Sequence, residues 1–145
     1  MNKTLLDKAY ANLIYAKSGF LRADDEIVFD LVGYHVQQAV ESTIKYVLEM
    51  NGVEYAHNHN IRQMIQLSES KNVDLKLPEF IYEHAEMFTE WEASSRYVMN
   101  FKLELKWAKA GYKAAAEYYR DVVLEYEPEK YRDDIFLDEK EKNDQ

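Results

Sequence analysis

Five stretches of this sequence repeat apolar residues every three or four positions, and this helical period constrains the fold more than any other feature. The clearest stretch is 105–126, where Ala108, Tyr112 and Tyr119 lie along one continuous apolar face. None of the stretches sustains the two-residue alternation of half-buried strands. Four Gly and two Pro are too few for the many tight turns of a β-sandwich or barrel. The sequence therefore predicts an all-α fold.

Turn and capping residues place the ends of five predicted helices: 4–21, 26–51, a short helix from 60, a fourth from Pro78, and 105–126. Asp24 and Asp25 offer an N-cap for the second helix, and Gly52 allows the left-handed conformation that ends it. Asn60 and Gln63 have the spacing of a capping box at the start of the third. Helices with short connections pack best as neighbours in opposite directions. We therefore expect an antiparallel up-down bundle of four to five helices.

The last nineteen residues differ in charge from the rest of the chain. Residues 127–145 hold eight acidic and four basic side chains, so they carry −4 of the net charge of −9. We predict a helical bundle over 1–126 and an acidic C-terminal tail over 127–145, and favour a solvated tail. The alternative is that four apolar residues fold back onto the bundle or onto a partner: Tyr131, Ile135, Phe136 and Leu137.

Composition excludes several classes of protein. The chain has no cysteine, which excludes disulfides, thiolate metal sites and a cysteine nucleophile. No run approaches eighteen apolar residues, and the N-terminal segment lacks the apolar region of a signal peptide. We therefore expect a cytoplasmic protein that does not enter the membrane. The net charge of −9 disfavours non-specific attraction to nucleic acid or anionic lipid.

Motifs for metal or covalent chemistry are weak or missing. His57 and His59 are alternate residues that could reach one metal, but two histidines alone are a weak signal. The sequence has one Glu-x-x-His motif, Glu54 to His57, which is unpaired and lies in a predicted loop. A di-metal centre in a helical bundle needs such motifs in pairs on facing helices. Catalytic Ser/His/acid sets, Gly-rich phosphate loops and zincin motifs are also absent from the sequence. We predict no metal and no cofactor.

A polar stripe follows the second helix beside its apolar stripe. Tyr34, Gln38, Glu41 and Lys45 are spaced four, three and four apart and share one helical face. Glu41 precedes Lys45 in the favourable order for a helical ion pair. Spacing alone favours a solvated face over a binding site. His35, at the edge of the apolar stripe, is predicted to be a hydrogen-bonded packing residue rather than a ligand.

The segment WEASSRYVMN places Trp91, Arg96 and Tyr97 near the end of the fourth predicted helix. A guanidinium among aromatic residues can clamp a phosphate through two hydrogen bonds, or pair with an internal carboxylate such as Glu41. The chemistry of these residues leaves both interpretations open.

Together these strings resemble the HEPN (higher eukaryotes and prokaryotes nucleotide-binding) family. The resemblance rests on YHVQQAVESTIKYVLEMNGVEY, on the later His-Asn-Ile and on Ser-Arg-Tyr, and it spans roughly residues 4–125. It implies a helical bundle that forms a homodimer. In many prokaryotic members it also implies a minimal nucleotidyltransferase partner, with which the protein forms a toxin–antitoxin pair. The residues that match the family signature are Gln38, Glu41, Lys45, His59, Arg96 and Tyr97.

The sequence departs from the ribonuclease members of that family. Those members carry an Arg followed after four to six residues by a His, whereas no His occurs in the seven residues after Arg96. We therefore predict a non-catalytic binding module that acts with a nucleotidyltransferase or binds a nucleotide. One alternative is a ribonuclease of altered geometry that cleaves RNA with Arg96 and His59. The other is a structural dimerisation domain in which the polar residues form a buried network.

Overall fold

The structure is a computed structural model that describes residues 4–21, 26–56, 60–97 and 103–137, with the backbone alone at 4, 26–30 and 93–97. Six α-helices occur in these ranges: α1 Thr4–Leu21, α2 Glu26–Met50, α3 Ile61–Ser70, α4 Glu79–Glu83, α5 Ala85–Tyr97 and α6 Leu105–Tyr126. The described residues contain no strand, so the predicted all-α bundle is confirmed. None of the described helices is long and apolar enough to span a membrane.

Helix α2 lies at the centre of the bundle and packs against α1, α5 and α6. Its apolar stripe is almost completely removed from solvent, with Val36 fully buried and Val32, Val40, Thr43 and Val47 no more than 2% exposed. Burial of such a stripe supplies most of the free energy that holds a helix in a folded protein. The periodicity of the second predicted helix therefore identified its buried face.

Local capping signals placed two helix ends where the sequence predicted them. The Asn60 side chain accepts a hydrogen bond from the Gln63 amide at 2.8 Å, and the Asn60 amide donates to the Gln63 side chain at 3.0 Å. This is the predicted capping box of α3. Gly52 follows α2 with a φ of 71°, the left-handed conformation that glycine adopts without a Cβ clash. The proposed cap at Asp24 and Asp25 lies outside the described residues.

The fourth predicted helix is two helices, and the prediction of one continuous helix is wrong. His84 separates α4 from α5 with φ −114° and ψ 28°, away from helical values. Its ring lies 4.5 Å from the ring of Phe80 and 5.4 Å from that of Trp107 on α6. Neither Pro nor Gly occurs at this break, and the ring contact of His84 with α6 is the feature that accompanies it.

Trp91 joins α5 to both α2 and α6. A Cβ atom built on Gly111 would meet the Trp91 ring at 2.7 Å, and one built on Gly33 would meet it at 3.1 Å. A side chain at Gly111 would force the indole to move, and one at Gly33 would require it to shift by a few tenths of an ångström, so the two glycines let Trp91 lie close to both helices. This packing fixes α5 against α2, five residues before Arg96.

Residues 127–137, which we call the C-terminal strap, pack across α1 and α6 through two short 3-10 turns. Ile135 is completely buried and Leu137 is 8% exposed. The favoured interpretation of a solvated tail is therefore wrong for the strap, because its apolar residues bury surface against the bundle. Residues 138–145 lie outside the described part of the chain. The division into a bundle over 1–126 and a tail over 127–145 stays a prediction.

Candidate functional site

Four polar side chains in the middle of α2 form one hydrogen-bonded chain, which we call the α2 polar cluster. Gln38 Nε2 donates to Gln37 Oε1 at 2.6 Å, and Gln37 Nε2 donates to Glu41 Oε2 at 2.8 Å. Lys45 Nζ donates to Glu41 Oε1 at 2.6 Å. Gln37, Glu41 and Lys45 follow one another at one-turn spacing and share a helical face, so the helix itself sets the two bonds to Glu41, whereas Gln38 reaches its direct neighbour Gln37. As a result, each oxygen of the Glu41 carboxylate accepts a hydrogen bond from its own donor.

The α2 polar cluster lies at the boundary between the core and solvent. Gln37 is only 3% exposed, whereas the Glu41 and Lys45 side chains retain 18% and 16% of their exposure. At this depth water screens the ion pair less than it screens a fully exposed pair. The cluster is therefore ordered by its own hydrogen bonds and still accessible to a ligand from one side.

Tyr55, from the segment after α2, adds an aromatic wall to the cluster. The Lys45 ammonium lies 5.7 Å from the centroid of the Tyr55 ring. The Tyr55 hydroxyl donates to Glu49 Oε2 at 2.5 Å, which holds the ring in place. Burial, reinforced by the hydrogen bond to Glu49, raises the pKa of the Tyr55 hydroxyl well above its ordinary value. Tyr55 is therefore a neutral hydrogen-bond donor throughout the physiological range.

The structure brings together Gln38, Glu41 and Lys45, which the sequence selected, and adds two residues that it did not select. Gln37 precedes Glu41 by four residues, and this spacing could have identified it. Tyr55 had no such signal, because it reaches Lys45 only through the turn after α2. The fourth residue of the predicted polar stripe, Tyr34, packs its ring against that of His35 at 5.3 Å.

The remaining predicted site residues come from α5 and from the segment before α3. The backbone of Arg96 and Tyr97 forms the end of α5, but their side chains lie outside the described part of the structure. His59 and its neighbour His57 also lie outside it. Helix α5 packs on α2 through the contact of Trp91 with Gly33, so both helices of the predicted site are neighbours. The contact of Arg96 with Glu41 stays a prediction.

The two histidines whose side chains are described pack against other groups. His35 Nδ1 lies 2.8 Å from Asn12 Oδ1 on α1, which confirms the predicted hydrogen-bonded packing residue. Burial lowers the pKa of His35, so its imidazole is neutral at pH 7. His84 contacts the rings of Phe80 and Trp107. Across residues 4–21, 26–56, 60–97 and 103–137, no group of three or more histidines and carboxylates is arranged to hold a metal ion.

Comparison with known proteins gives one match. A family model described as HEPN domain matches residues 3–126, which includes all six α-helices and the α2 polar cluster. No curated protein and no solved structure matches the chain significantly. The matched region ends at Tyr126, immediately before the C-terminal strap.

Proposed function

This chain belongs to the HEPN domain family, a family of nucleotide-binding and RNase-type modules, and we propose that it is a non-catalytic binding member of it. In this proposal the protein forms a homodimer and binds a nucleotide or a minimal nucleotidyltransferase partner, as in a toxin–antitoxin system. The homodimer and the protein partner are supported by the family resemblance, in which both occur. The ligand site is supported by the α2 polar cluster.

The observation that carries the proposal is the state of the Glu41 carboxylate. Both of its oxygens already accept hydrogen bonds, one from Gln37 and one from Lys45. These two contacts fix the orientation of the carboxylate, while each oxygen keeps a second lone pair that can accept a hydrogen bond from a ligand. The same arrangement suits a fixed binding surface, because it holds the Gln38 amide and the Lys45 ammonium in defined positions. Glu41 therefore acts as a positioning group.

The charges of the cluster indicate which part of a nucleotide it would contact. Glu41 pairs with Lys45, and Glu49 holds Tyr55 beside it, so two carboxylates accompany a single ammonium and the site does not by itself attract a phosphate. Amide and carboxylate groups are suited to base edges and ribose hydroxyls, and the Tyr55 ring offers a surface for stacking. In the proposal Arg96 supplies the phosphate contact, because a guanidinium binds phosphate through two parallel hydrogen bonds.

Calorimetric titration of the whole chain with AMP, ATP and GTP tests this proposal, followed by titration with a nucleotidyltransferase encoded by the adjacent gene. Lys45→Gln should weaken binding about tenfold, the effect of losing one hydrogen bond to a charged group. Lys76→Gln is a matched control, because it removes an ion pair with Glu125 that lies far more open to solvent. If the chain bound neither the nucleotides nor the nucleotidyltransferase, the proposal would be contradicted.

The ribonuclease alternative has its own test. The family contains RNase-type modules, and RNA cleavage by attack of the 2′-hydroxyl needs a group that transfers the proton, for which His is the usual residue near neutral pH. In this chain that group would be His59 acting with Arg96. Purified protein should then cleave RNA, and Arg96→Ala and His59→Ala should each abolish cleavage. Intact RNA after incubation with and without divalent metal removes this alternative.

A further inference from the structure

Glu41 and Lys45 present three polar atoms in a fixed order within the α2 polar cluster. Lys45 Nζ donates to Glu41 Oε1 at 2.6 Å, and Gln37 Nε2 donates to Glu41 Oε2 at 2.8 Å. The order is therefore the ammonium, then Oε1, then Oε2. The carboxylate cannot turn away from its two donors without breaking both hydrogen bonds. A ligand that reaches this side of α2 meets one donor followed by two acceptors.

These three atoms keep hydrogen-bonding capacity for a ligand. An ammonium has three N–H donors, and each carboxylate oxygen has two lone pairs. Within the described part of the chain, the Lys45 ammonium donates one hydrogen bond and each Glu41 oxygen accepts one. The side chains of Lys45 and Glu41 keep 16% and 18% of their exposure, so a ligand can approach them from solvent.

The sequence of one donor and two acceptors matches the Watson–Crick edge of one nucleobase. Guanine presents the acceptor O6 and, next to it, two adjacent donors, N1–H and N2–H₂. The same edge of adenine, cytosine or uracil has a single donor nitrogen, so none of these bases can donate to both Glu41 oxygens. Guanine is the base that satisfies the Lys45 ammonium and both carboxylate oxygens at once.

The surroundings of the cluster suit a single nucleotide. The centroid of the Tyr55 ring lies 5.7 Å from the Lys45 ammonium, so the ring offers an aromatic surface close to the base-binding atoms. The chain carries a net charge of −9, which repels a polyanion such as RNA more strongly than a mononucleotide.

From these observations we infer that the α2 polar cluster selects guanine, so that its ligand is a guanine mononucleotide. The Lys45 ammonium donates to O6, and the two Glu41 oxygens accept from N1–H and N2–H₂. The inference rests on the proposed nucleotide binding and adds the identity of the base. Glu41 then both orients its neighbours and contacts the ligand.

Calorimetric titration of the full chain with GMP, IMP and AMP tests this inference, because the three ligands share ribose and phosphate. GMP should bind about tenfold more tightly than IMP or AMP. Each of these two has one donor fewer for the carboxylate, and a hydrogen bond to a charged group contributes about that factor. Equal affinity for all three would overturn the inference and leave the proposed nucleotide binding intact. Binding of none of them would overturn both.

A variant of the carboxylate identifies the contact. Glu41→Gln keeps the shape of the side chain and replaces one acceptor with a donor, so it should abolish the preference for GMP over IMP. Glu125→Gln is the matched control, since Glu125 also pairs with a lysine, Lys76, but lies far more open to solvent. The control should keep the preference. A preference for GMP that survived Glu41→Gln would place base recognition elsewhere and overturn the inference.

Discussion

The α2 polar cluster and the C-terminal strap are held in place by opposite kinds of contact. Every hydrogen bond among Gln37, Gln38, Glu41 and Lys45 joins residues at most four positions apart on one helix. The strap is held by contacts between distant parts of the chain, such as that between Tyr10 and Asp134, 124 residues apart. The cluster can therefore form wherever α2 is helical, whereas the strap needs a folded bundle to bind to.

The two regions also differ in burial, and this difference predicts where variants act. Ile135 of the strap is completely buried, while the Glu41 side chain keeps 18% of its exposure. Removal of buried apolar volume is among the most destabilising changes in a protein. We therefore expect variants of the strap to change stability most, and variants of the cluster to change binding most.

The largest effect on stability is expected for Ile135→Ala. Loss of a fully buried Ile side chain should lower the free energy of unfolding by about 2–5 kcal/mol. Urea denaturation measures it, with Leu124→Ala, 47% exposed on α6, as the control. If both variants lost the same small amount, the strap would not be part of the cooperative fold, and the contrast between the two regions would fail.

Next in size is Tyr112→Phe, which removes the buried hydroxyl that donates to the Ile135 carbonyl. The substitution should lower the free energy of unfolding by about 1–3 kcal/mol, because it leaves a buried acceptor without its donor. Tyr118→Phe is the matched control: among the described residues, the buried Tyr118 hydroxyl has no hydrogen-bond partner. This second variant should be neutral or slightly stabilising in the same denaturation measurement. Equal losses for the two would mean that the Tyr112 hydrogen bond does not anchor the strap.

A smaller loss is expected for Glu41→Gln in the α2 polar cluster. The substitution keeps the shape of the side chain. It should lower the free energy of unfolding by about 1 kcal/mol, the net contribution of a typical hydrogen bond. Nucleotide binding should fall far more than stability, and calorimetry together with thermal melting measures both. A loss of about 3 kcal/mol or more would instead indicate a buried structural network, since stranding a buried charge costs that much.

The smallest effect on stability is expected from a change of pH. This effect should arise at the contact of α1 with α2 and in neither of the two regions. Neither region has a described histidine, whereas His35 is half-buried against Asn12. Burial lowers the pKa of His35 in the folded state, so protons bind more readily to the unfolded chain. Stability should therefore be full above the unfolded pKa of about 6.5 and fall as the pH drops below it.

The control for this pH effect is His35→Gln, which keeps a polar side chain and removes the titrating group. Its stability should change less between pH 7 and pH 5 than that of the parent chain, as measured by thermal melting at each pH. Parallel pH profiles for the two proteins would assign the acid sensitivity to other groups.

Local sequence signals predicted most of the bundle and part of the site. The apolar period located the buried face of α2, and Asn60 with Gln63 located the start of α3, because each signal acts within one or two turns. The spacing of Gln38, Glu41 and Lys45 placed these residues on one face for the same reason. Tyr55 was missed, since the path of the chain after α2 brings it to Lys45.

Where the sequence alone was misleading, contacts with distant residues decide the structure. A continuous helix through His84 satisfies every local preference, yet ring contacts with Trp107 accompany a break there. Residues 127–137 have the charge of a solvated tail. Ile135 and Leu137 nevertheless bury apolar surface on the bundle, while most of the charged residues around them stay exposed.

The sequence by itself thus determined an all-α bundle, most of its helix ends and the polar face of α2. The tertiary structure alone decided the break between α4 and α5, the indole of Trp91 between Gly33 and Gly111, and the docking of the strap. The physical reason is the range of the interactions. Helix period and capping depend on residues three or four positions apart, while these other features depend on surfaces that meet only after the bundle has folded.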